Sequence, residues 1–177
     1  MRSDKGGQRR LDLFPLIENV KPVILLRQKS VVFAATGCYV GYIPFAPGTF
    51  GSLVGIPFVW LMAQFSVPVM ILFLFFFIAF AIIVAGEAEK VFRQKDSGFI
   101  VIDEIAGMLV TFFLVPWSPG NALAGLLLFR IFDITKPFPV GLIDRKIKGG
   151  IGVVADDIVA GFYANAVLRL VLLLFGG

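Results

Sequence analysis

VMILFLFFFIAFAIIVA, residues 69–85, contains no charged residue, no glycine and no proline. At the helical rise these 17 residues cover about 25 Å, close to the roughly 30 Å thickness of a hydrocarbon layer. The apolar character extends well beyond this run. Between Lys29 and Glu87 the only ionisable side chains are Cys38, Tyr39 and Tyr42. Of the 177 residues, 58% are hydrophobic and 16% are charged, whereas a soluble domain carries about 45–50% and about 25%. Such a chain has too little charge to solvate a folded surface in water. It reads as an integral membrane protein, all-α: a small polytopic helix bundle of about five apolar segments with short re-entrant or hairpin helices.

Working outward from residues 69–85, Pro68 separates them from a shorter apolar run, Leu53–Phe65, and the two form a helical hairpin. Before that lies IPFAPGTFGS, residues 43–52, read as a structured loop because of its Pro and Gly content. VVFAATGCYVGY, residues 31–42, is apolar but too short to cross a bilayer. On the other side, the charged loop GEAEKVFRQKDSG (86–98) leads to FIVIDEIAGMLVTFFLVPW, a turn at PWSPGN and the helix ALAGLLLFRIFDI. A second charged loop, KPFPVGLIDRKIKGG (136–150), precedes a final helix over 152–175. The expected division is a basic, partly disordered N-terminal segment, 1–29, with a short helix near LFPLIENV, followed by one membrane domain, 30–177. The turns near Ser66 and Ser118 lack Lys and Arg, while segments 1–29, 86–98 and 136–150 hold nearly all of them. Positive residues favour the cytoplasmic side, so those three segments belong inside.

Several chemistries are excluded. The chain has one cysteine and no histidine, so an internal disulfide, a zinc cluster, a Ser-His-Asp triad and a phosphohistidine are all impossible. Cys38 lacks the arginine of a Cys-phosphatase loop, and no DxDx[TV] sequence supports a haloacid-type nucleophile. The acids of ADDIVAG do not follow the spacing of a CDP-alcohol phosphatidyltransferase. A net charge of +4 gives no reason to expect nucleic acid as a partner, and the sequence implies no particular protein partner.

The chemistry resides in acids placed against the hydropathy. Asp103, Glu104, Asp133, Asp156 and Asp157 lie within or at the ends of apolar helices, where each costs roughly 2.5–3.5 kcal/mol on insertion scales and usually lines a polar cavity. IVIDEIAG and GVVADDIVAG share a pattern, an acid pair opening a helix with a glycine three or four residues on. Glu104 shares a helical face with Gly107, and Asp157 with Gly161. Any one such acid could be a helix cap or a surface ion pair. Brought together, they would repel unless a hard divalent cation joined them; with only oxygen donors, Mg²⁺ is the metal of choice and Mn²⁺ a substitute. In FRIFDITKP, residues 129–137, Arg130, Asp133 and Lys136 recur at intervals of three. Arg130 and Lys136 suit a phosphate, although Arg130 could instead simply pair with Asp133. Asp144 and Arg145 belong either to this site or to a solvated loop. Gly48 and Thr49 open a Pro-Gly segment whose free amides could take an anion, with Thr49 or Ser52 as helix cap. Ion sites of a small cation transporter or channel are the alternative reading of the acid pairs.

The stretches GYIPFAPGTFGSLVGIP, KDSGFIVIDEIAGM, FRIFDITKPFPVGLIDR and GGIGVVADDIVAGFYA, in this order, resemble the phosphatidylglycerophosphatase A family across nearly all of residues 31–173. The resemblance implies a Mg²⁺-dependent enzyme of the bacterial cytoplasmic membrane that converts phosphatidylglycerophosphate to phosphatidylglycerol. It places the acidic motif positions at Asp103, Glu104, Asp133, Asp156 and Asp157, with Asp96 and Asp144 flanking them. The basic positions fall on Arg130, Lys136 and Arg145. Ser97 departs from the family pattern, in which another polar residue or histidine is frequent, so no catalytic role is expected of it.

Overall fold

The computed structural model describes residues 24–175, and within them the chain is all helical. Helix α1 spans 24–35 and is followed by a short 3₁₀ turn, Val40–Tyr42. The others are α2 (Pro47–Met62), α3 (Val67–Phe92), α4 (Ile102–Thr111), α5 (Pro119–Thr135), α6 (Val140–Lys146) and α7 (Gly149–Phe175). The five expected apolar segments are α2, α3, α4, α5 and α7. Helix α1 runs through residue 30 without a break; the expected helix near LFPLIENV lies outside the described residues.

Four boundaries differ from expectation, each for a local reason. Helix α2 begins at Pro47, inside the segment read as a loop, because proline suits the first helical position and Ala46 turns the chain from a left-handed conformation (φ 47°). No side chain caps it: Ser52 Oγ donates instead to the Gly48 carbonyl at 2.8 Å. Helix α3 continues through the first charged loop to Phe92, carried by strong helix formers and a 2.6 Å Lys90–Glu87 pair one turn apart. The second charged loop contains α6. Helix α7 starts at Gly149, so Asp156 and Asp157 sit beyond its first turn and cannot be N-terminal caps.

Helices α3 and α7 are long and apolar enough to cross a membrane. Helix α3 leaves Ile71, Leu72, Phe75, Phe76, Phe80 and Ile83 exposed. An apolar surface of that size suits lipid and not water.

Helix α4 is the centre of the bundle. It packs against α2, α3, α5 and α7, and of its residues only Glu104 is not fully buried. Met108 and Leu109 join Val59, Met62, Phe112, Phe129 and Leu168 in one core cluster. A ten-residue helix reaches only about 15 Å, half of a bilayer, so its carbonyl end needs partners inside the protein. Helix α7 supplies them. Asn165 Nδ2 donates to the Thr111 and Phe113 carbonyls at 2.8 and 3.0 Å, and Arg169 donates to Phe113 at 2.8 Å.

The expected glycine faces bring α4 and α7 together. A Cβ on Gly161 would stand 2.5 Å from the Gly107 carbonyl oxygen, and one on Gly107 would stand 2.9 Å from the Asp157 carbonyl oxygen. Only hydrogen in place of a side chain permits this crossing. It sets the acids of the two helices side by side.

Candidate active site

At one end of the α4–α7 crossing lies a cavity of about 300 Å³. Helix α4 contributes Asp103 and Glu104 from its first turn, where the helix dipole favours negative charge. Helix α5 contributes Arg130 and Asp133, and helix α7 contributes Asp156 and Asp157. Lys136 enters from the end of α5, while Asp96 and Ser97 come from the loop between α3 and α4.

Asp103, Glu104 and Asp157 each place a carboxylate oxygen within 4.8 Å of the other two. Asp103 and Asp157 are buried. Asp103 Oδ1 and Glu104 Oε2 have no hydrogen-bond partner among the described residues. Buried acceptors without donors are costly, and so are three carboxylates in contact. A divalent cation resolves both problems, and an all-oxygen donor set suits a hard ion such as Mg²⁺. The residues therefore fit a metal.

Asp133 and Asp156, also expected as metal ligands, share the cavity, and each holds a cation through one oxygen, while the buried Asp156 Oδ1 has no hydrogen-bond partner among the described residues. Arg130 Nη1 lies 2.5 Å from Asp133 Oδ2 and 3.8 Å from Glu104 Oε1. Lys136 Nζ lies 2.7 Å from Asp156 Oδ2 and 3.3 Å from Asp144 Oδ1. Burial opposes the charge on Lys136, but its hydrogen bond to Asp156 and the fields of Asp156 and Asp144 outweigh that and hold its pKa above the ordinary lysine value. The two acids thus favour the charged form of Lys136. Lys136 closes α5 in a left-handed conformation (φ 42°), so the helical stripe begun by Arg130 ends at Asp133. Arg130 pairs with Asp133, the simpler of the two expectations, yet its buried Nε keeps an N–H with no acceptor among the described residues.

The remaining expected residues separate. Gly48 is buried, and a Cβ there would collide with the Glu104 carboxylate and the Arg130 guanidinium. Its place is to admit that pair, within the first turn of α2 and not in a loop. Thr49, half-buried, does not line the cavity. Asp144 reaches the site only through Lys136. Arg145 lines an adjoining cavity of about 280 Å³, together with Lys136, Phe138 and Leu142. Unlike Arg130 and Lys136, it forms no ion pair among the described residues.

Ser97 was not expected here, yet it is 2% exposed and lines the cavity. Its neighbour Asp96, in the stretch KDSGFIVIDEIAGM, was the available signal, but a serine in a charged loop is ordinarily solvated. Arg169 did carry a signal, a lone charge in an apolar helix. Its structural role emerges only from contact with α4.

Residues 33–172 match the family model described as phosphatidylglycerophosphatase A. The chain belongs to that family. Phosphatidylglycerophosphatase A of Escherichia coli (strain K12) is 36% identical over 138 residues, covering 77% of this chain and 80% of its own. Phosphatidylglycerophosphatase A of Haemophilus influenzae is 35% identical over 136 residues, covering 76% and 83%. A Bacteroides thetaiotaomicron protein with the provisional name phosphatidylinositol-3-phosphatase is 35% identical over 141 residues, covering 75% and 87%. No solved structure matches the chain. The match to the phosphatidylglycerophosphatase A family spans every residue of the cavity, from Ala46 to Asp157.

Proposed function

We propose that this protein is a Mg²⁺-dependent phosphatidylglycerophosphatase, releasing the terminal phosphate of phosphatidylglycerophosphate to leave phosphatidylglycerol. The observation that carries the proposal is the cavity itself. Partnerless carboxylate oxygens and two fixed cations share one site, in a chain of this family. Asp103, Glu104 and Asp157 would hold the ion. Bound there, it supplies polarisation of the phosphoryl oxygens and a more acidic water.

The chain's own residues do the rest. Arg130 and Lys136 are oriented in advance by Asp133 and Asp156, and they offset the charge on the phosphoryl oxygens. Hydrolysis breaks the bond between phosphorus and the glycerol oxygen, which takes up a proton as it leaves. In direct hydrolysis the incoming water loses a proton to a carboxylate, which passes it on to the departing glycerol oxygen. Asp133 would either accept that proton or attack phosphorus itself, in which case water then cleaves the aspartyl-phosphate to release phosphate. Trapping of a labelled aspartyl-phosphate decides between the two.

The substrate carries a second phosphate, a diester one glycerol away. Arg145, unpaired over the adjoining cavity and linked to the site through Lys136, is assigned to it. Exposed aromatic side chains near the cavities support this reading. Phe45, Phe99 and Phe138, on the segments lining both cavities, are 67%, 44% and 81% exposed. They suit the level where headgroups meet acyl chains. We place the protein as a multi-pass protein of the bacterial cytoplasmic membrane with this site facing the cytoplasm, as the basic residues of segments 86–98 and 136–150 favour. The carboxylates gather in one cavity and not along a path through the bundle, which favours hydrolysis over ion transport.

Purified protein supplied with phosphatidylglycerophosphate is expected to release phosphate with Mg²⁺ and to stop with EDTA. Metal-dependent ion flux without hydrolysis would establish the transporter instead. In the same assay Arg145→Gln is expected to raise KM for phosphatidylglycerophosphate about tenfold, the cost of one charge-assisted contact. Hydrolysis of a small phosphomonoester lacking the diester should be unchanged; equal losses on both substrates would remove Arg145 from this role. Phosphatidylinositol 3-phosphate, offered in parallel, reads the specificity that separates the named relatives.

A further inference from the structure

Four hydroxyl side chains are buried among the described residues: Thr36, Ser52, Ser97 and Thr111. Three of them donate to the carbonyl one helical turn back. Thr36 Oγ1 reaches Val32 at 2.8 Å, Ser52 Oγ reaches Gly48 at 2.8 Å and Thr111 Oγ1 reaches Gly107 at 2.9 Å. Ser97 is the exception. Its Oγ is buried with no hydrogen-bond partner among the described residues, and it lines the cavity that holds Asp103 and Asp157. A buried hydroxyl without a partner costs stability, so its retention calls for an explanation.

The backbone around Ser97 is tied down on both sides. The Asp96 N–H donates to Glu89 Oε1 at 2.8 Å, and Asp96 itself is left-handed, with φ 47°. The Ile100 N–H donates to the Ser97 carbonyl at 2.8 Å, and the Val101 N–H to the Ala35 carbonyl at 2.8 Å. The chain is thus tied to α3 on one side of Ser97 and to α1 on the other. Ser97, held between these ties, is one of the residues lining the cavity.

We propose that Ser97 is a phosphate-binding residue whose hydroxyl donates a hydrogen bond to a non-bridging oxygen of the phosphoryl group in the cavity. It supplies a neutral donor from the α3–α4 loop, where Arg130 and Lys136 supply charged donors from α5. The inference rests on the phosphomonoester reading of the site and adds to it a ligand contact that the family pattern at this position did not suggest.

The test compares the full chain with Ser97→Ala, both purified in detergent with Mg²⁺. Three quantities are read: affinity for inorganic phosphate by calorimetry, kcat/KM on phosphatidylglycerophosphate, and the unfolding midpoint. A hydrogen bond to a charged group implies that phosphate affinity and kcat/KM both fall about 10- to 100-fold. The midpoint should stay the same or rise, because the variant loses no internal hydrogen bond. Phosphate affinity within about twofold of wild type overturns the proposal. So does a lowered midpoint with activity loss that tracks the unfolded fraction, since that marks a structural hydroxyl. Wild type that binds phosphate but hydrolyses no phosphatidylglycerophosphate overturns the functional reading, and the affinity comparison still decides Ser97. Wild type that neither binds phosphate nor hydrolyses phosphatidylglycerophosphate overturns both.

Discussion

Asp157→Asn is expected to lower turnover about 100- to 1,000-fold while making the metal-free protein more stable. The two effects have one cause. Asp103, Glu104 and Asp157 crowd their oxygens within 4.8 Å, and two of those side chains are buried. Without a cation the three charges repel in a medium that screens them poorly. An amide of the same shape removes one charge and relieves that repulsion, so the unfolding midpoint in EDTA should rise. It also removes a ligand. Saturating Mg²⁺ at about 100 times its Kd should stabilise wild type by about 2.7 kcal/mol, and the variant should lose most of that gain. Thermal unfolding with EDTA and with MgCl₂, beside a phosphate-release assay, reads all three. Near-normal turnover, or an undiminished Mg²⁺ gain, would show that Asp157 does not hold the ion.

Gly161→Ala should damage both stability and catalysis although Gly161 does not line the cavity. The added Cβ would stand 2.5 Å from the Gly107 carbonyl oxygen and 3.0 Å from the Val110 Cβ. Backbone cannot yield as a flexible side chain does, so α4 and α7 must move apart. Overpacking of this kind costs about 1–3 kcal/mol. The same movement carries Asp157 away from Asp103 and Glu104, and a displacement near 1 Å in such a site is worth about 100-fold in rate. Unfolding curves and steady-state kinetics on the same preparation test it. A variant with unchanged midpoint and unchanged kcat would mean that the crossing has slack that the geometry does not show.

Much of this was legible in the sequence. Apolar runs marked five helices, because hydropathy reports directly on which segments a bilayer accepts. Acids inside those runs marked the site, because an intramembrane charge is too costly to be idle. Where Asp156 and Asp157 fall along α7 was not legible: glycines at 149, 150 and 152 suggested a later start, and only packing against α3 and α6 shows them helical. The division of the five acids was not legible either. Asp133 and Asp156 each hold a cation in a short contact, at 2.5 and 2.7 Å, whereas Glu104 has Arg130 only at 3.8 Å and Asp103 and Asp157 have no salt-bridge partner among the described residues. The burial of Ser97 and the pairing of Asn165 with the end of α4 are contacts between distant segments, and spacing along the chain carries no trace of them.

The half-length helix α4 bears on how the protein is made. In the proposed bilayer placement, its first turn brings two carboxylates, and the Thr111 and Phe113 carbonyls at its far end accept from the side chains of Asn165 and Arg169. Those partners are synthesised more than fifty residues later. Residues 102–111 can pack on α2 and α3 as soon as they are made, but their carbonyl end gains these side-chain partners only with α7, so completion of the short helix waits for the last element of the chain.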